Sequence, residues 1–320
     1  RCTTWARSCA TAAVRNVNDA PTGAPVLSPT AVTEGQAISV STASIADADG
    51  LGTLRIRWQQ SALGGSGTWA TISGATSGSY TPGAAQVNRR IRAVVSWTDA
   101  NGTAEQVASN ATSVVGDRWI GTAAANVFNG TNGSDWAEGR GGNDTLNGRG
   151  GADLLEGEAG NDRVDGGAGD DVLLVTGTGQ GFDTFIGGTG HDTIRAGAAG
   201  TVIGVLLGLT GIEEISSGGF ANVTVSGSGS SESLDLSGVV LSGIAAILGG
   251  GGADDITGSA GDDVIRGGAG DDSLLGGTGS DQLFGDAGID LLNGGGGDDT
   301  LTGGTGLDEY VFRGSSGFGT

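Results

Sequence analysis

Residues 249–275 read GGGGADDIT GSAGDDVIR GGAGDDSLL, three nonapeptides in one phase. Each places Gly at its first and fourth positions, Asp at its sixth (Asp254, Asp263, Asp272) and an aliphatic residue at its eighth (Ile256, Ile265, Leu274). The phase continues through four more units, with Asp281, Asp290, Asp299 and Asp308 at the sixth position and Leu283, Leu292, Leu301 and Tyr310 at the eighth. An earlier block begins at Gly121. Its sixth positions are Asn126, Asp135, Asp144, Asp153, Asp162 and Asp171, and its eighth are Phe128, Ala137, Leu146, Leu155, Val164 and Leu173. After an insertion of three residues, Val175 to Gly177, two further units carry Asp183 with Phe185 and Asp192 with Ile194. A Gly-rich linker would keep the glycines but neither the Asp nor the apolar position.

Alternate side chains of a strand face one side. Each unit therefore supplies about three strand residues, with the eighth pointing inward, and a six-residue turn. Two units close one coil, so equivalent residues lie 18 apart and stack at a spacing of about 4.8 Å. Asp254, Asp272, Asp290 and Asp308 form one ladder, and Asp263, Asp281 and Asp299 the opposite one. The first block gives Asp135, Asp153 and Asp171 on one side and Asp144 and Asp162 on the other.

Carboxylates at that spacing repel by roughly 3 kcal/mol per pair at an effective dielectric of about 20. The inward apolar residues contribute about 1.5–3 kcal/mol each, too little to order a coil whose residues each cost over about 1 kcal/mol of entropy. A divalent cation between consecutive turns reverses the repulsion and takes up backbone carbonyls. The available ligands are all oxygen, with no His or Cys at the sixth position, so the metal is hard. Irregular coordination by six to eight oxygens favours Ca2+ over Mg2+. Glycine permits the left-handed or crowded backbone of the turn.

These nonapeptides resemble the RTX family, the hemolysin-type calcium-binding proteins exported by Gram-negative bacteria. The resemblance covers residues 121–195 and 249–311. It implies a right-handed parallel β-roll in which each calcium takes the Asp and the carbonyls of positions two and four from one turn. The next turn on the same side gives its Asp and the carbonyls of positions one and three. Carried over, one site is Gly250, Gly252 and Asp254 with Gly267, Ala269 and Asp272. Pairing the Asp ladders gives about eight ions, three in the first block and five in the second. Asn126, Glu232 and the shifted phase at Asp183 and Asp192 add none to that count, although both of those Asp residues remain candidate ligands. The resemblance also implies a secreted, extracellular or cell-surface protein and a type I secretion machinery as partner of the full-length chain.

The bulk composition agrees. Gly accounts for 67 of 320 residues, about three times its usual share. All 15 cations are Arg, and 36 acidic residues bring the net charge to −21. Such a chain attracts cations rather than nucleic acid or an anionic membrane. No apolar run is long enough to span a bilayer. Cys2 and Cys9 form no disulfide framework. The absence of Met reads as a piece cut from a longer protein.

Residues 196–248 lose the repeat but keep β-forming residues, with short strands expected at Asn222–Ser226 and Val239–Leu241. One degenerate unit, Gly227 to Asp235, has Glu232 in place of Asp. The stretch reads as a continuation of the coil without most of its metal. Residues 22–117 differ, with alternating strands at Gln36–Val40, Leu54–Gln59, Thr68–Ile72 and Arg90–Trp97 between turn signals such as Asp49-Gly50 and Asn101-Gly102. About seven short strands suggest an immunoglobulin-like β-sandwich with Trp58 in its core. Ser8, Ala10, Thr11 and Val14 recur as Ser109, Ala111, Thr112 and Val115, so residues 1–21 read as the end of a preceding sandwich copy and its linker. The linker Asn16 to Pro21, with Thr33-Glu34-Gly35-Gln36 and Asp47-Ala48-Asp49-Gly50, resembles the tandem sandwich repeats of large secreted bacterial proteins, adhesins and peroxidase-like exoproteins among them. Residues 312–320 read as a truncated C-terminal segment.

The fold class is thus all-β, a sandwich followed by a parallel β-roll in two blocks. No catalytic constellation is legible. His191 is the only histidine and occupies a variable turn position, and without Lys there is no phosphate loop of the G-x-x-x-x-G-K type. Trp119 and Trp136 are expected to pack at the start of the roll. The leading function is a calcium-folded binding module with no enzymatic activity of its own. The alternatives are a stalk fragment of an adhesin, with a cell surface or glycan as partner, and the non-catalytic part of a secreted protease, lipase or peroxidase-like enzyme.

Overall fold

The structure, a computed structural model, describes residues 18–312. Cys2, Cys9 and the strand expected at residues 8–14 lie outside them, as do residues 313–320.

From Arg118 onward short strands stack in parallel into a solenoid of about 11 turns. In the first block two faces alternate along the chain. Face A holds Arg118–Ile120, Trp136–Glu138, Leu154–Glu156, Val172–Val175, Thr193–Ala196, Glu214–Ser216 and Val240–Ser242. Face B holds Val127–Asn129, Thr145–Asn147, Arg163–Ala168, Asp183–Thr189 and the second half of Val202–Thr210. Register partners such as Trp136 and Leu154 lie 18 residues apart, as two nonapeptides per turn require. The eighth residue of each unit is the inward one: Leu155 is fully buried between the half-exposed Leu154 and Glu156.

The stretch between the blocks keeps winding but changes the cross-section. After the insertion the spacing on face A rises to 21 residues (Val172 to Thr193) and then to 26 (Glu214 to Val240). A third strand enters each turn there. The nine-residue strand Val202–Thr210 is shared: its end pairs with face B, while its start pairs with Thr224–Ser226 and founds face C. Face C continues through Ala246–Gly251, Val264–Ala269, Gln282–Ala287 and Thr300–Thr305. Face D begins at Ser233–Asp235 and continues through Asp255–Thr257, Ser273–Thr278, Leu291–Gly296 and Glu309–Tyr310. With face A ending at Val240–Ser242, the second block winds on faces C and D alone and the spacing returns to 18, as from Ile247 to Ile265. Faces B and C are thus one ten-stranded sheet joined through Val202–Thr210, while face A ends and face D begins midway. One hydrophobic cluster, from Phe128 through Ile203, Ile215, Val225 and Ile247 to Leu292, fills it from end to end.

Several strands are longer than the three residues expected. Val264–Ala269 and Gln282–Ala287 run for six because the turn backbone pairs as well, Gly268 with Asp286 and Ala269 with Ala287.

Upstream lie two small antiparallel sheets. Val26–Ser28, Ile38–Ser41 and Ser79–Tyr80 form one; Ala70–Thr71, Arg55–Gln60, Ile91–Thr98 and Ala104–Ala108 form the other. They share a core of Leu27, Val32, Ile38, Trp58, Ile91, Ala93 and Val115. Trp58 is fully buried, faces the Tyr80 ring at 5.7 Å between centroids, and donates its indole N–H to the Ser77 carbonyl at 2.9 Å. Thr33 joins this unit to the roll by donating its hydroxyl to the Ser134 carbonyl at 2.6 Å. At the start of the roll Trp119 packs on Phe128, whereas Trp136 is capped from outside by the Arg118 guanidinium.

Candidate metal centre

The sixth-position Asp side chains turn inward at the corners of the coil, and twelve of them are buried: Asp135, Asp144, Asp153, Asp162, Asp171, Asp183, Asp192, Asp254, Asp263, Asp272, Asp281 and Asp290. Asp299 and Asp308, in the last turns, are half-buried. One oxygen of each carboxylate is spoken for by the fold. Asp153 Oδ1 accepts the backbone N–H of Asp135 at 2.8 Å, Asp171 Oδ1 accepts that of Asp153 at 2.8 Å, and Asp162 Oδ1 that of Asp144 at 2.7 Å. In the second block Asp272, Asp290 and Asp308 accept from Asp254, Asp272 and Asp290, while Asp281 and Asp299 accept from Asp263 and Asp281.

The ladder passes through the three-residue insertion. Asp183 accepts from Asp162 at 2.8 Å and Asp192 from Asp171 at 2.9 Å, each across 21 residues. The inserted residues lengthen the loop and leave the turn geometry intact, so Asp183 and Asp192 stand in the columns as their neighbours do. Glu213 then closes the carboxylate ladder of face A by accepting the Asp192 N–H at 2.7 Å. Glu213 was missed in the sequence because it belongs to no recognisable nonapeptide. Its spacing of 21 from Asp192, the same as from Asp171 to Asp192, was the available signal.

The second oxygen has no protein partner in most turns. Oδ2 of Asp144, Asp153, Asp162, Asp171, Asp192, Asp254, Asp272, Asp281 and Asp290 is buried without a hydrogen bond. A buried carboxylate oxygen left bare is costly unless a cation completes it. Burial pushes the Asp153 carboxyl up to about 8, with the charges of Asp135 and Asp171 adding to the rise. It pushes Asp183 to about 7 and Asp162, Asp171, Asp272 and Asp281 to about 6. Asp135, Asp144, Asp192, Asp254, Asp263 and Asp290 are raised for the same primary reason.

The glycine at position one leaves the space that such a cation would share. A Cβ on Gly148 would fall on Asp153 Oδ2 and 2.6 Å from the Gly166 carbonyl oxygen of the next turn. On Gly249 it would fall 2.5 Å from Asp254 Oδ2 and against the Gly267 carbonyl. Asp254 Oδ2 and the Gly267 carbonyl thus flank one small space. The Gly250 and Gly252 carbonyls lie over Gly268 and Gly270 of the next turn. The Ala269 carbonyl already accepts the Gly252 N–H at 2.7 Å, leaving it one lone pair. Among the described residues no three His, Cys, Asp or Glu side chains converge on one metal position. A site here therefore needs the backbone, and the residues present fit a hard cation held by carboxylate and carbonyl oxygens.

The corners depend on left-handed backbone at positions two and four. Gly167 and Gly169 have φ of 103° and 133°, and Gly268 and Gly270 of 110° and 131°. Position two is left-handed even where it is not glycine, at Arg140, Arg149, Glu158 and Asp286. Such residues carry a steric cost of about 1–2 kcal/mol each, which the stacked turns hold in place.

His191 is exposed. No helix among the described residues is long and apolar enough to cross a membrane. No curated protein matches the chain. Residues 27–116 match the sequence model of a domain of unknown function, DUF8696. Residues 120–155, 138–173, 178–199, 248–283 and 275–310 match that of the RTX calcium-binding nonapeptide repeat. The segments that match the RTX calcium-binding nonapeptide repeat are those that the structure winds into one parallel β-solenoid.

Proposed function

We propose that residues 118–312 are a right-handed β-roll that folds when calcium enters between consecutive turns, and that this module serves a secreted bacterial protein. The observation that carries the reading is the row of nine buried, unpartnered Asp Oδ2 atoms along the regular turns, several of them, such as those of Asp153 and Asp254, beside a carbonyl of the next turn. Bound there, calcium supplies positive charge and open coordination positions. The protein contributes the ladder hydrogen bonds that orient each carboxylate, the glycines that make room, and the apolar column that closes the roll behind it.

Where free calcium is low the bare carboxylates hold the chain open, which suits passage through a type I export channel. Outside the cell millimolar calcium closes the roll, in keeping with the weak affinities of extracellular sites. The two upstream sheets fit an immunoglobulin-like sandwich: they face one another across Trp58. A linker and further copies of this unit would make a stalk that sets the roll at a distance from its anchor. The stretch has no catalytic role of its own in this reading. Thermal unfolding in chelator, in calcium and in magnesium at equal concentration tests it. A large rise in the roll's melting temperature with calcium and a small one with magnesium are expected; equal effects of the two ions would refute a calcium-selective roll.

A further inference from the structure

The roll has two kinds of turn, and they are not mixed at random. In the regular kind, positions two and four are left-handed and in most of them the Asp Oδ2 is bare, as at Gly268, Gly270 and Asp272. Four turns are built otherwise. At position two they carry Thr122, Thr131, Ser228 and Ser259, and neither that residue nor position four (Ala124, Gly133, Ser230, Gly261) has a positive φ.

In all four the position-two side chain closes the turn. Its hydroxyl accepts the N–H of position four: Ala124 to Thr122 at 3.3 Å, Gly133 to Thr131 at 2.9 Å, Ser230 to Ser228 at 3.1 Å and Gly261 to Ser259 at 3.1 Å. The same hydroxyl donates to the sixth-position side chain. Thr131 donates its N–H to Asp135 Oδ2 at 2.7 Å and its hydroxyl to Oδ1 at 3.0 Å. Ser259 treats Asp263 likewise, with its N–H at 2.6 Å from Oδ2 and its hydroxyl at 2.9 Å from the same oxygen. Thr122 donates its N–H to Asn126 Oδ1 at 2.6 Å, and the Ser228 hydroxyl donates to Glu232. Asp135 and Asp263 are absent from the row of bare Oδ2 atoms for this reason, whereas Glu232 Oε2 is left bare by its turn.

The backbone differs too in two of the four turns, while above Gly133 and Gly261 the carbonyl oxygen is still among the nearest atoms, 2.5 Å from an added Cβ. In regular turns the position-four carbonyl oxygen is the atom nearest position four of the next turn, as Gly252 is to Gly270 and Gly151 to Gly169. Above the Ser230 turn, the carbonyl carbon of Ser230 and the nitrogen of Ser231 come closer to Gly252 than the oxygen does. Above the Ala124 turn, the Ala125 nitrogen and the Ala124 carbonyl carbon are the nearest atoms to Gly142. The φ of a residue sets the plane of the peptide before it, so the carbonyls of positions one and three are re-aimed as well.

The position of these turns is systematic. Asn126 is the first repeat turn of face B, Asp135 of face A, Glu232 of face D and Asp263 of face C. Each column of nonapeptide turns starts with one, with Asp117 standing before that of face A and donating its N–H to Asp135 Oδ1, and no later turn has Ser or Thr at position two.

We infer that the Ser or Thr at position two makes the first turn of each column a metal-free end cap, in which a hydroxyl and an amide take the place of calcium. Terminal repeats of solenoids are commonly atypical in this sense. The inference rests on the calcium-binding role of the regular turns. It redistributes the ions: the pairs Asp135/Asp153 and Asp263/Asp281 are lost, and Asp162/Asp183 and Asp171/Asp192 take their place. The two blocks then hold equal numbers of regular pairs, with Asp144/Asp162 and Asp153/Asp171 completing the first block. Asp254/Asp272, Asp272/Asp290, Asp290/Asp308 and Asp281/Asp299 make up the second.

Calcium uptake counted by equilibrium dialysis tests this on the whole chain, alongside Ser259→Gly, Ser259→Ala and Thr131→Gly. Glycine frees position two to become left-handed and bares the carboxylate, so Ser259→Gly and Thr131→Gly should each take up one ion more than the parent. Ser259→Ala removes the hydroxyl but keeps the Cβ, and should gain none. If the parent binds calcium and neither glycine variant binds more, the cap is refuted. A parent that binds no calcium refutes the calcium role itself. The two glycine variants lie in different blocks, so misfolding of one leaves the other to decide.

Discussion

Asp272 Oδ1 accepts the backbone N–H of Asp254 at 2.9 Å, one full turn away, while Asp272 Oδ2 accepts nothing. The same side chain therefore ties the coil together and leaves it incomplete. Asp272→Asn separates the two roles, since the amide oxygen can keep the ladder bond while the charge is lost. Asp272 belongs to two adjoining turn pairs, so the variant should lose two ions. The calcium midpoint of folding should rise on the order of tenfold or more, about 1.4 kcal/mol per factor of ten. Calcium counting and a circular-dichroism titration read both effects.

Acid should do part of what calcium does. The folded-state pKa values of Asp153, Asp183, Asp162, Asp171, Asp272 and Asp281 are raised to between about 6 and about 8, above the ordinary 3.8, chiefly by burial. The folded roll without metal therefore binds more protons than the unfolded chain. This contribution to stability is fully present below the ordinary carboxylate range and is lost as pH rises through about 6 to 8. In chelator, strand content followed by circular dichroism should increase as pH is lowered from 8 to 4, and calcium affinity should fall over the same range. A chelated chain that loses strand on acidification would contradict the raised values.

The apolar column should matter as much as the carboxylates. Leu155 is fully buried in the first block and Leu283 in the second. Leu155→Ala or Leu283→Ala should each cost about 2–5 kcal/mol. That loss appears as a lower melting temperature in saturating calcium with the number of bound ions unchanged.

The upstream unit should answer to its own core. Trp58→Ala removes the ring that bridges both sheets and the bond to Ser77, at a cost of about 3–5 kcal/mol. Its near-ultraviolet signal should collapse while the calcium-dependent transition of the roll persists, which two-wavelength thermal scans can separate.

The residues show where sequence reasoning reaches and where it stops. The nine-residue phase sets the two-strand turn, the 18-residue register and the inward Leu and Ile, because all three follow from strand geometry and local repetition. The passage of face B into face C, while face D takes over from face A, does not follow. It depends on Val202–Thr210 pairing with two different strands at its two ends, a long-range choice that no local pattern encodes. Asp183 and Asp192 looked displaced in the sequence because three residues precede them, yet the extra loop leaves their backbone bonds in register. Glu213 stands in the ladder on spacing alone. The distinct turns at Thr131 and Ser259 were written in the sequence at position two, but only their hydrogen bonds show what the substitution does. The carbonyl ligands implied for Gly250, Gly252, Gly267 and Ala269 depend on peptide orientation, which residue type does not reveal.

The most direct measurement is a calcium titration of the metal-depleted chain at neutral pH, followed by far-ultraviolet circular dichroism. The account predicts that the β-signal of the roll is weak in chelator, appears cooperatively as calcium approaches the millimolar range, and disappears again when chelator is restored. A strand signal of full size in chelator, unchanged by calcium, would contradict it.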